Sequence, residues 1–420
     1  MHDALPNLRH LRAFCEAERQ KSISRAADAV FLSQPAVTQA IAKLEKTFGV
    51  GLLERVGAGV SPTGAGSAYA NRVRRALAVI ESGIAEALRI GGARSLRQAR
   101  DLLALLTTTQ LRAFVAVGTT NNFTLAARLV GSSQPAVHRS TRELEAVLEV
   151  ALFEKTTRGI VLTRAGQVLW QQLKLAFAEL HQGMAEVKSS GGLAQGSIVV
   201  GCMPLARHFV MPDTLVQFCS QYPAVDIQFI ESPYPDLLHG LRHGEIDFLV
   251  GALRYPPPVD DILQESLFAS ALCIVAGSQH PLARVERPLS LADLAAYPWV
   301  LPPSGTPTRD RFERLIAGVP GGRRFGLIES SSQILVRGLL KGSERLTLIS
   351  RQQVQYEVDM GDLVILDFEL GDNLREIGLT FRSDWQPTRV QLEFLELLRW
   401  VAAGAARPMQ PPFHQYGRCA

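Results

Sequence analysis

The chain has no apolar run approaching the roughly twenty residues needed to cross a bilayer. Met1 to His10 lack the basic patch and apolar stretch of a secretory signal. Cysteine is scarce, and Cys15, Cys202, Cys219, Cys273 and Cys419 stand at irregular intervals. That odd set suits reduced thiols in a cytosol and argues against a disulfide framework. A Gly-x-Ser-x-Gly elbow, a Gly-x-x-x-x-Gly-Lys loop and a His-Glu-x-x-His helix are all missing, so no common catalytic motif is present. His239 and His243 have metal-ligand spacing, yet no acidic or thiol partner sits at a set interval, and they read as solvated surface residues. No enzyme activity, cofactor or metal is expected, and the protein is expected to be soluble, cytoplasmic and free of membrane.

What is present fits a multidomain protein. At 420 residues, with 47% hydrophobic and 20% charged residues, the chain has core-forming material for two to four domains. Its net charge of +4 hides an asymmetry. Residues 1–100 carry 15 Lys and Arg against 8 Asp and Glu, whereas residues 196–420 carry 20 against 25. A basic head on an acidic body is the distribution of a polyanion-binding protein.

One pentapeptide occurs twice, as Ser33-Gln34-Pro35-Ala36-Val37 and Ser133-Gln134-Pro135-Ala136-Val137. Its surroundings repeat without a gap at the same offset. Leu11-Arg12-Ala13-Phe14 returns as Leu111-Arg112-Ala113-Phe114, Ala26-Ala27 as Ala126-Ala127, Leu44-Glu45 as Leu144-Glu145, and Thr63, Ala65 and Gly66 as Thr163, Ala165 and Gly166. Such collinearity marks a duplicated domain. In each copy two short amphipathic helices precede a third, which Ser33 or Ser133 caps and Pro35 or Pro135 opens. Val37, Ile41 and Leu44 form its inward stripe. The outward face then holds Gln34, Thr38, Gln39 and Lys43, groups suited to base edges and phosphates. This is the helix-turn-helix plan, with a small hairpin wing around Gly57. In the second copy the outward face changes to Gln134, His138, Arg139 and Arg142, which makes it the stronger electrostatic set. Arg55, Lys155 and Arg158 sit on the wings as phosphate contacts. A long apolar-striped helix follows each wing, through Val73, Ile80 and Ile84 and through Leu169, Leu173 and Leu180.

From residue 196 the pattern changes to short apolar strands alternating with helices, the mark of an α/β sheet with parallel strands. Leu215, Val216, Phe218 and Cys219 read as the core face of one such helix. Ligands in these sheets collect at the carboxyl ends of strands. Those ends carry Cys202-Met203-Pro204-Leu205, Glu231-Ser232-Pro233-Tyr234, Ala252-Leu253-Arg254-Tyr255, Ser304-Gly305-Thr306-Pro307-Thr308-Arg309 and Glu329-Ser330-Ser331-Ser332.

Each repeat resembles the DNA-binding unit of the LysR-type transcriptional regulators, whose signature runs Ala-Ala, Ser-Gln-Pro-Ala-Val, Leu-Glu and Leu-Thr-x-Ala-Gly. The last is complete as Leu162-Thr163-Arg164-Ala165-Gly166, while the first repeat has Pro62 for the leucine. The body resembles the family's effector domain at residues 240–247, His280-Pro281-Leu282-Ala283, Trp299-Val300-Leu301-Pro302-Pro303 and Ile377-Gly378-Leu379-Thr380. The duplication departs from the family, which normally has one such unit. The implied fold is multidomain: two tandem α-helical winged helix-turn-helix domains, then a two-lobed α/β domain like the periplasmic solute-binding proteins. The boundaries read as 1–62 for the first unit, 63–105 for a linker helix and linker, 106–163 for the second unit, 164–192 for a dimerisation helix, 196–405 for the effector domain and 406–420 for a tail.

The resemblance implies a bacterial cytosolic transcription factor on double-stranded promoter DNA, switched by a small-molecule effector and working with RNA polymerase. It also implies a homodimer or homotetramer in which two chains pair through the helices after the wings. Effector contacts are implied at Pro204, Leu205, Ser304, Thr306, Thr308 and Ser331. Ser232 and Arg254 lie on the same strand-end edge, and the hydroxyls with Arg254 or Arg309 suit an organic acid or a sugar. Residues 301–306 resemble a branch linked to sugar and aromatic-acid metabolism. A redox sensor within the family and a plain solute-binding protein are the rivals. The first is disfavoured because no low-pKa cysteine environment is visible, the second by the DNA-reading repeats.

Overall fold

The computed structural model describes residues 5–57, 59–92, 98–157, 159–189, 195–319, 326–371 and 373–405. Arg158, linker residues 93–97, Cys419 and the rest of the tail from 406 lie outside them.

The first repeat is a trio of helices closed by a hairpin: α1 (Leu8–Gln20), α2 (Ile23–Val30), α3 (Gln34–Phe48), then β1 (Leu53–Val56) antiparallel to β2 (Gly59–Pro62). A long α4 (Gly64–Gly91) follows, then α5 (Ala99–Leu105). The second repeat is α6 (Thr108–Thr120), α7 (Phe123–Val130), α8 (Gln134–Leu148), β3 (Phe153–Thr156) and β4 (Gly159–Leu162), followed by α9 (Arg164–Ser189). The repeated motifs have matching physical causes. Ser33 and Ser133 cap α3 and α8, each Oγ accepting the N–H three residues on at 3.4 Å. Glu45 accepts from the N–H groups of Leu52 and Leu53 at 2.8 and 3.1 Å, and Glu145 does the same for Leu152 and Phe153 at the same distances. That bond ties the third helix to its wing. A Cβ on Gly66 would lie 1.9 Å from the Leu52 carbonyl oxygen, and one on Gly166 2.1 Å from that of Leu152, so only glycine fits. Helix α5 has no counterpart in the sequence reading, which took this stretch for linker; it buries Leu102 and Leu103.

Helices α4 and α9 run antiparallel and bury their apolar stripes against each other. Tyr69, Val73, Ile80 and Ile84 on one side, and Leu169, Leu173, Leu180 and Met184 on the other, are at most 2% exposed. Each such side chain contributes about 1.5–3 kcal/mol by burial. Small residues set the closeness: a Cβ on Gly83 would meet Gln172 Cβ at 2.7 Å, and one on Gly183 would meet Arg72 Cβ at 2.9 Å. Buried Arg72 locks the register through Glu186 at 2.9 Å and Glu179 at 3.0 Å. The expectation was that two chains pair through these helices; in this chain the seam closes between its own two repeats. Duplication puts both helices on one tether, where their effective concentration exceeds that of any second molecule.

The body comprises β5 (Gly196–Cys202), α10 (Pro204–Phe209), α11 (Met211–Gln221), β6 (Val225–Ile230), α12 (Tyr234–Arg242), β7 (Phe248–Ala252), β8 (Ile262–Gly277), α13 (Leu291–Ala295), β9 (Trp299–Leu301), α14 (Pro307–Ile316), β10 (Leu327–Glu329), α15 (Gln333–Gly342), β11 (Thr347–Ser350), α16 (Arg351–Asp359), β12 (Leu363–Ile365), β13 (Leu374–Arg382) and α17 (Arg389–Ala405). The main sheet has the order β11-β8-β13-β7-β5-β6, with β12 also on β8. Parallel pairing, as the alternation implied, holds for β5 with β6 and β7. Strands β8 and β13 depart from it, pairing antiparallel with each other and running through both lobes. Phe268 and Ile377 belong to the core of the first lobe with Phe248 and Phe394, whereas Leu272 and Ile274 belong to that of the second with Trp299 and Phe312. The register shift between Ile377 and Gly378 falls where the strands change lobe. Among the described residues no single helix is long and apolar enough to cross a membrane.

Val216 and Cys219 are exposed rather than core, as α11 turns Phe218 inward instead. His243 is buried rather than solvated, its ring stacked 3.9 Å from that of His239 and 5.1 Å from that of Trp170 on α9, and its Nδ1 donates to the His239 carbonyl at 2.7 Å. It belongs to the joint where α9 sits on the body. Gly244 there lets Ala178 approach, and Gln182 donates to buried Asp247 at 2.9 Å.

Gly83→Val should wedge the seam and lower stability by about 1–3 kcal/mol in denaturant titration; an unchanged midpoint would contradict the close approach. Burial pulls the His243 pKa from 6.5 down to about 4. Between those values the unfolded chain binds a proton that the folded chain refuses, so this contribution is complete above about pH 6.5 and is lost as pH falls toward 4. His243→Gln should flatten the acid side of the stability profile, and an equally steep fall in the variant would rule out this joint as its source.

Candidate DNA-reading surfaces and effector cleft

In the first repeat Val37, Ile41 and Leu44 face inward, leaving Thr38, Gln39 and Lys43 exposed on α3 and Arg55 exposed on the wing. Ser33, Gln34, Pro35, Thr38, Gln39 and Arg55 line one open groove of about 1080 Å³ between α2, α3 and the hairpin. Gln34 Nε2 donates to Ser24 Oγ at 2.9 Å, which holds that amide against α2. The Thr38 hydroxyl donates to the Gln34 carbonyl at 3.0 Å, so its methyl is what remains to offer a base.

The second repeat keeps the frame and changes the chemistry. Gln134 accepts from Thr124 Oγ1 at 3.3 Å, the counterpart of the Gln34–Ser24 pair. Thr141 replaces Ile41 on the inward stripe and satisfies its hydroxyl on the His138 carbonyl at 2.9 Å. Ser133, Pro135, His138, Arg139, Arg142 and Lys155 are exposed. The His138 ring lies 5.1 Å from that of Phe123, and Arg142 pairs with Glu145 at 3.0 Å. On α8 Arg139, unlike Arg142, has no hydrogen-bond or ion-pair partner among the described residues. Arg158 lies outside the described residues.

The cleft between the lobes holds a group that the sequence reading missed. Arg375 stands on β13 opposite Ser270 of β8, at the lobe junction. Its Nη1 donates to Thr308 Oγ1 at 2.6 Å and its Nη2 to Ser350 Oγ, while the buried Nε has no partner. No carboxylate pairs with it among the described residues. Burial lowers its pKa to about 10, so the guanidinium stays charged at neutral pH. Thr308 lies in the first turn of α14 and Ser350 is the N-cap of α16, so two helix N-termini add their partial positive charge. Ser270 is fully buried and donates to Gln352 at 2.7 Å beside them.

Of the sequence-predicted effector residues, Thr308 touches this centre. Pro204 opens α10, which packs across on α16, while Leu205 is core. The Thr306 hydroxyl caps α14, accepting from Arg309 N–H at 3.3 Å and donating to the Pro303 carbonyl at 2.9 Å. Ser232, Ser304 and Ser331 are exposed on loops. The Arg254 guanidinium lies 3.9 Å over the Tyr234 ring. Arg309 is already paired, with Glu313 at 2.6 Å and Glu329 at 3.3 Å. One signal for Arg375 was available: it shares the period-two face of its strand with Ile377 and Leu379, a buried face.

The sequence model for the LysR substrate binding domain matches residues 191–403. That for the bacterial regulatory helix-turn-helix protein of the lysR family matches twice, at 8–67 and 108–167. The HTH-type transcriptional regulator GalR of Pseudomonas putida is 32% identical over 397 residues, covering 94% of this chain and 98% of that protein. The two are thus nearly equal in length, and the relative has room for both repeats. PcaQ of Agrobacterium fabrum is also 32% identical, but over 297 residues that cover 70% of this chain and 94% of its own. A full-length OxyR variant of Pseudomonas aeruginosa shares the fold at a TM-score of 0.53 and 21% identity, covering 73% of this chain and 99% of that one. With both domain types in this order, and a relative matched along nearly its whole length, the chain belongs to the LysR family of bacterial transcriptional regulators, with a DNA-binding helix-turn-helix and an effector-binding domain.

Proposed function

We propose that this regulator reads promoter DNA with two tandem winged helix-turn-helix units and is switched by a small organic anion bound at Arg375. The observation that carries the effector class is a half-buried guanidinium whose Nε is buried without a partner and whose other contacts are neutral hydroxyls. Burying a charge without a counter-charge is costly, and an incoming carboxylate would remove that cost through a bidentate pair. The N-termini of α14 and α16 favour the same sign of ligand. Of the two classes expected from the sequence, an organic acid therefore has the stronger support and a neutral sugar the weaker.

The DNA reading rests on matching frames with exposed, different outer faces: Ser33, Gln34, Pro35, Thr38, Gln39, Lys43 and Arg55 in one unit, and Ser133, Gln134, Pro135, His138, Arg139, Arg142, Lys155 and Arg158 in the other. Effector binding draws the lobes together and shifts the population of head placements, which alters promoter geometry and the encounter with RNA polymerase. Because the α4–α9 seam is already filled, homodimers or homotetramers form through the body, where α17 leaves Leu392 and Trp400 exposed.

A panel of small carboxylic acids and neutral sugars screened by thermal shift tests the effector class. A ligand at about a hundred times its Kd should stabilise the protein by about 2.7 kcal/mol, and Arg375→Gln should abolish that response. Stabilisation by sugars alone, or an undiminished response in the variant, would overturn the assignment. On DNA, Arg139→Ala should weaken binding and lower the salt slope by about one unit, more than Arg142→Ala or Gln39→Ala does. The opposite ranking would move the main phosphate contact elsewhere.

A further inference from the structure

The seam carries a symmetry that its stability alone does not require. Gly83 faces Gln172, and Gly183 faces Arg72. With the repeat offset of one hundred positions, 83 maps onto 183 and 72 onto 172, so one contact is made twice with its partners exchanged. Exchange of this kind is the signature of a two-fold axis. Leu8 N–H donates to Thr108 Oγ1 at 2.9 Å, and these residues are also counterparts. Counterparts touch only beside the axis, which therefore passes by the first turns of α1 and α6. A two-fold rotation keeps the sense of its own axis, so α3 and α8 face the same side.

Spacing agrees with this. Helix α4 has 28 residues, about 42 Å of helix. It begins at the wing of the first unit and ends with Gly91 against Val150 of the second. The two heads thus sit toward opposite ends of a span comparable to the roughly 34 Å of one duplex turn. The buried frame is symmetric, yet the faces it presents are not, with Thr38 and Gln39 at one end and His138 and Arg139 at the other.

We propose that one chain is a complete paired reader: α3 and α8 of the same molecule occupy the two halves of a single operator, and those halves differ in sequence. The proposal rests on the reading above that both repeats contact DNA. A second copy of the chain is then needed for a second operator, not for the second half of the first.

Selection of binding sites from random duplex DNA by the full-length chain tests it. The expected product is two unlike half-sites about one helical turn apart. Palindromes built from either half alone should bind at least about tenfold more weakly than the selected site. A palindromic product would overturn the proposal, since identical heads from two chains would be reading it. Failure to enrich any sequence would instead overturn the reading that the repeats recognise DNA. Mixing provides a second measurement. Gln34→Ala/Gln39→Ala disables one head and Arg139→Ala/Arg142→Ala the other, all at exposed positions whose loss leaves the fold checkable by circular dichroism. The mixture should bind no better than the stronger single variant. Recovery of wild-type affinity would show heads pairing between chains and would end the proposal.

Discussion

The closure of α4 on α9 within one molecule is the constraint on which the other parts depend. It is an apolar antiparallel interface with glycines at its closest approaches and one charged network at its edge. The apolar stripes supply the energy, and they alone would tolerate sliding by a turn. Arg72 removes that freedom, because its guanidinium meets Glu186 and Glu179 together only in one register. A buried ion network of this kind adds little net stability over an apolar substitute, and its value lies in specificity. Here it specifies where each head stands, which is what a DNA reader has to fix.

The same arginine joins the seam to the body. Arg72 also donates to the carbonyl oxygens of Gln386 at 2.8 Å and Pro387 at 3.3 Å, and Arg75 donates to that of Asp384 at 2.8 Å. That loop directly follows β13, whose far end carries Arg375 in the cleft. At the near end Arg382 holds the carbonyl oxygens of Leu241 and Ile246 at 2.6 and 3.2 Å. One strand thus runs from the arginine in the cleft to the loop that meets the seam. It bends where Gly378 lies so close to Glu265 that a Cβ would fall 1.9 Å from its carbonyl oxygen. An effector gains influence over the heads only through its preference for one lobe arrangement, and β13 is the direct covalent path for that preference.

The sequence displayed the parts of this molecule that are local. Ser33 and Ser133 as caps, the Val37 and Val137 stripes and the wing hairpins follow from neighbours within a few positions. The role of Glu45 and Glu145 follows almost as locally, across one turn. What the sequence concealed was partnership. An apolar stripe on α4 states that something covers it, and whether the cover is another chain or the next repeat is decided by tether length, which periodicity does not encode. Arg375 was hidden for a similar reason. Beside Glu376 it resembles an exposed charge pair, and only the pairing of β13 with β8 buries it beside Thr308, sixty-seven positions away. His243 and Cys219 misled because burial at the edge of a helix face depends on what packs there, and α9 covers one while the other is exposed among the described residues.

Covalent duplication also explains why the two halves differ where they do. In a pair made from identical chains, every substitution appears at both ends, so a residue good for one end must be tolerable at the other. A single chain lifts that condition. The turn before the third helix needs a left-handed residue; the second repeat supplies Gly131, while the first places Phe31 there at φ 54, 92% exposed, a conformation that costs an ordinary residue about 1–2 kcal/mol. Arg72 against Gln172 is the more consequential difference. One body sits on each seam, so a symmetric frame has to hold an asymmetric load: Arg72 meets Glu179 and the loop carbonyls, whereas the counterpart of Glu179 is Val79 and position 172 carries a neutral Gln. The symmetry persists where the interface packs against itself and ends where the body attaches.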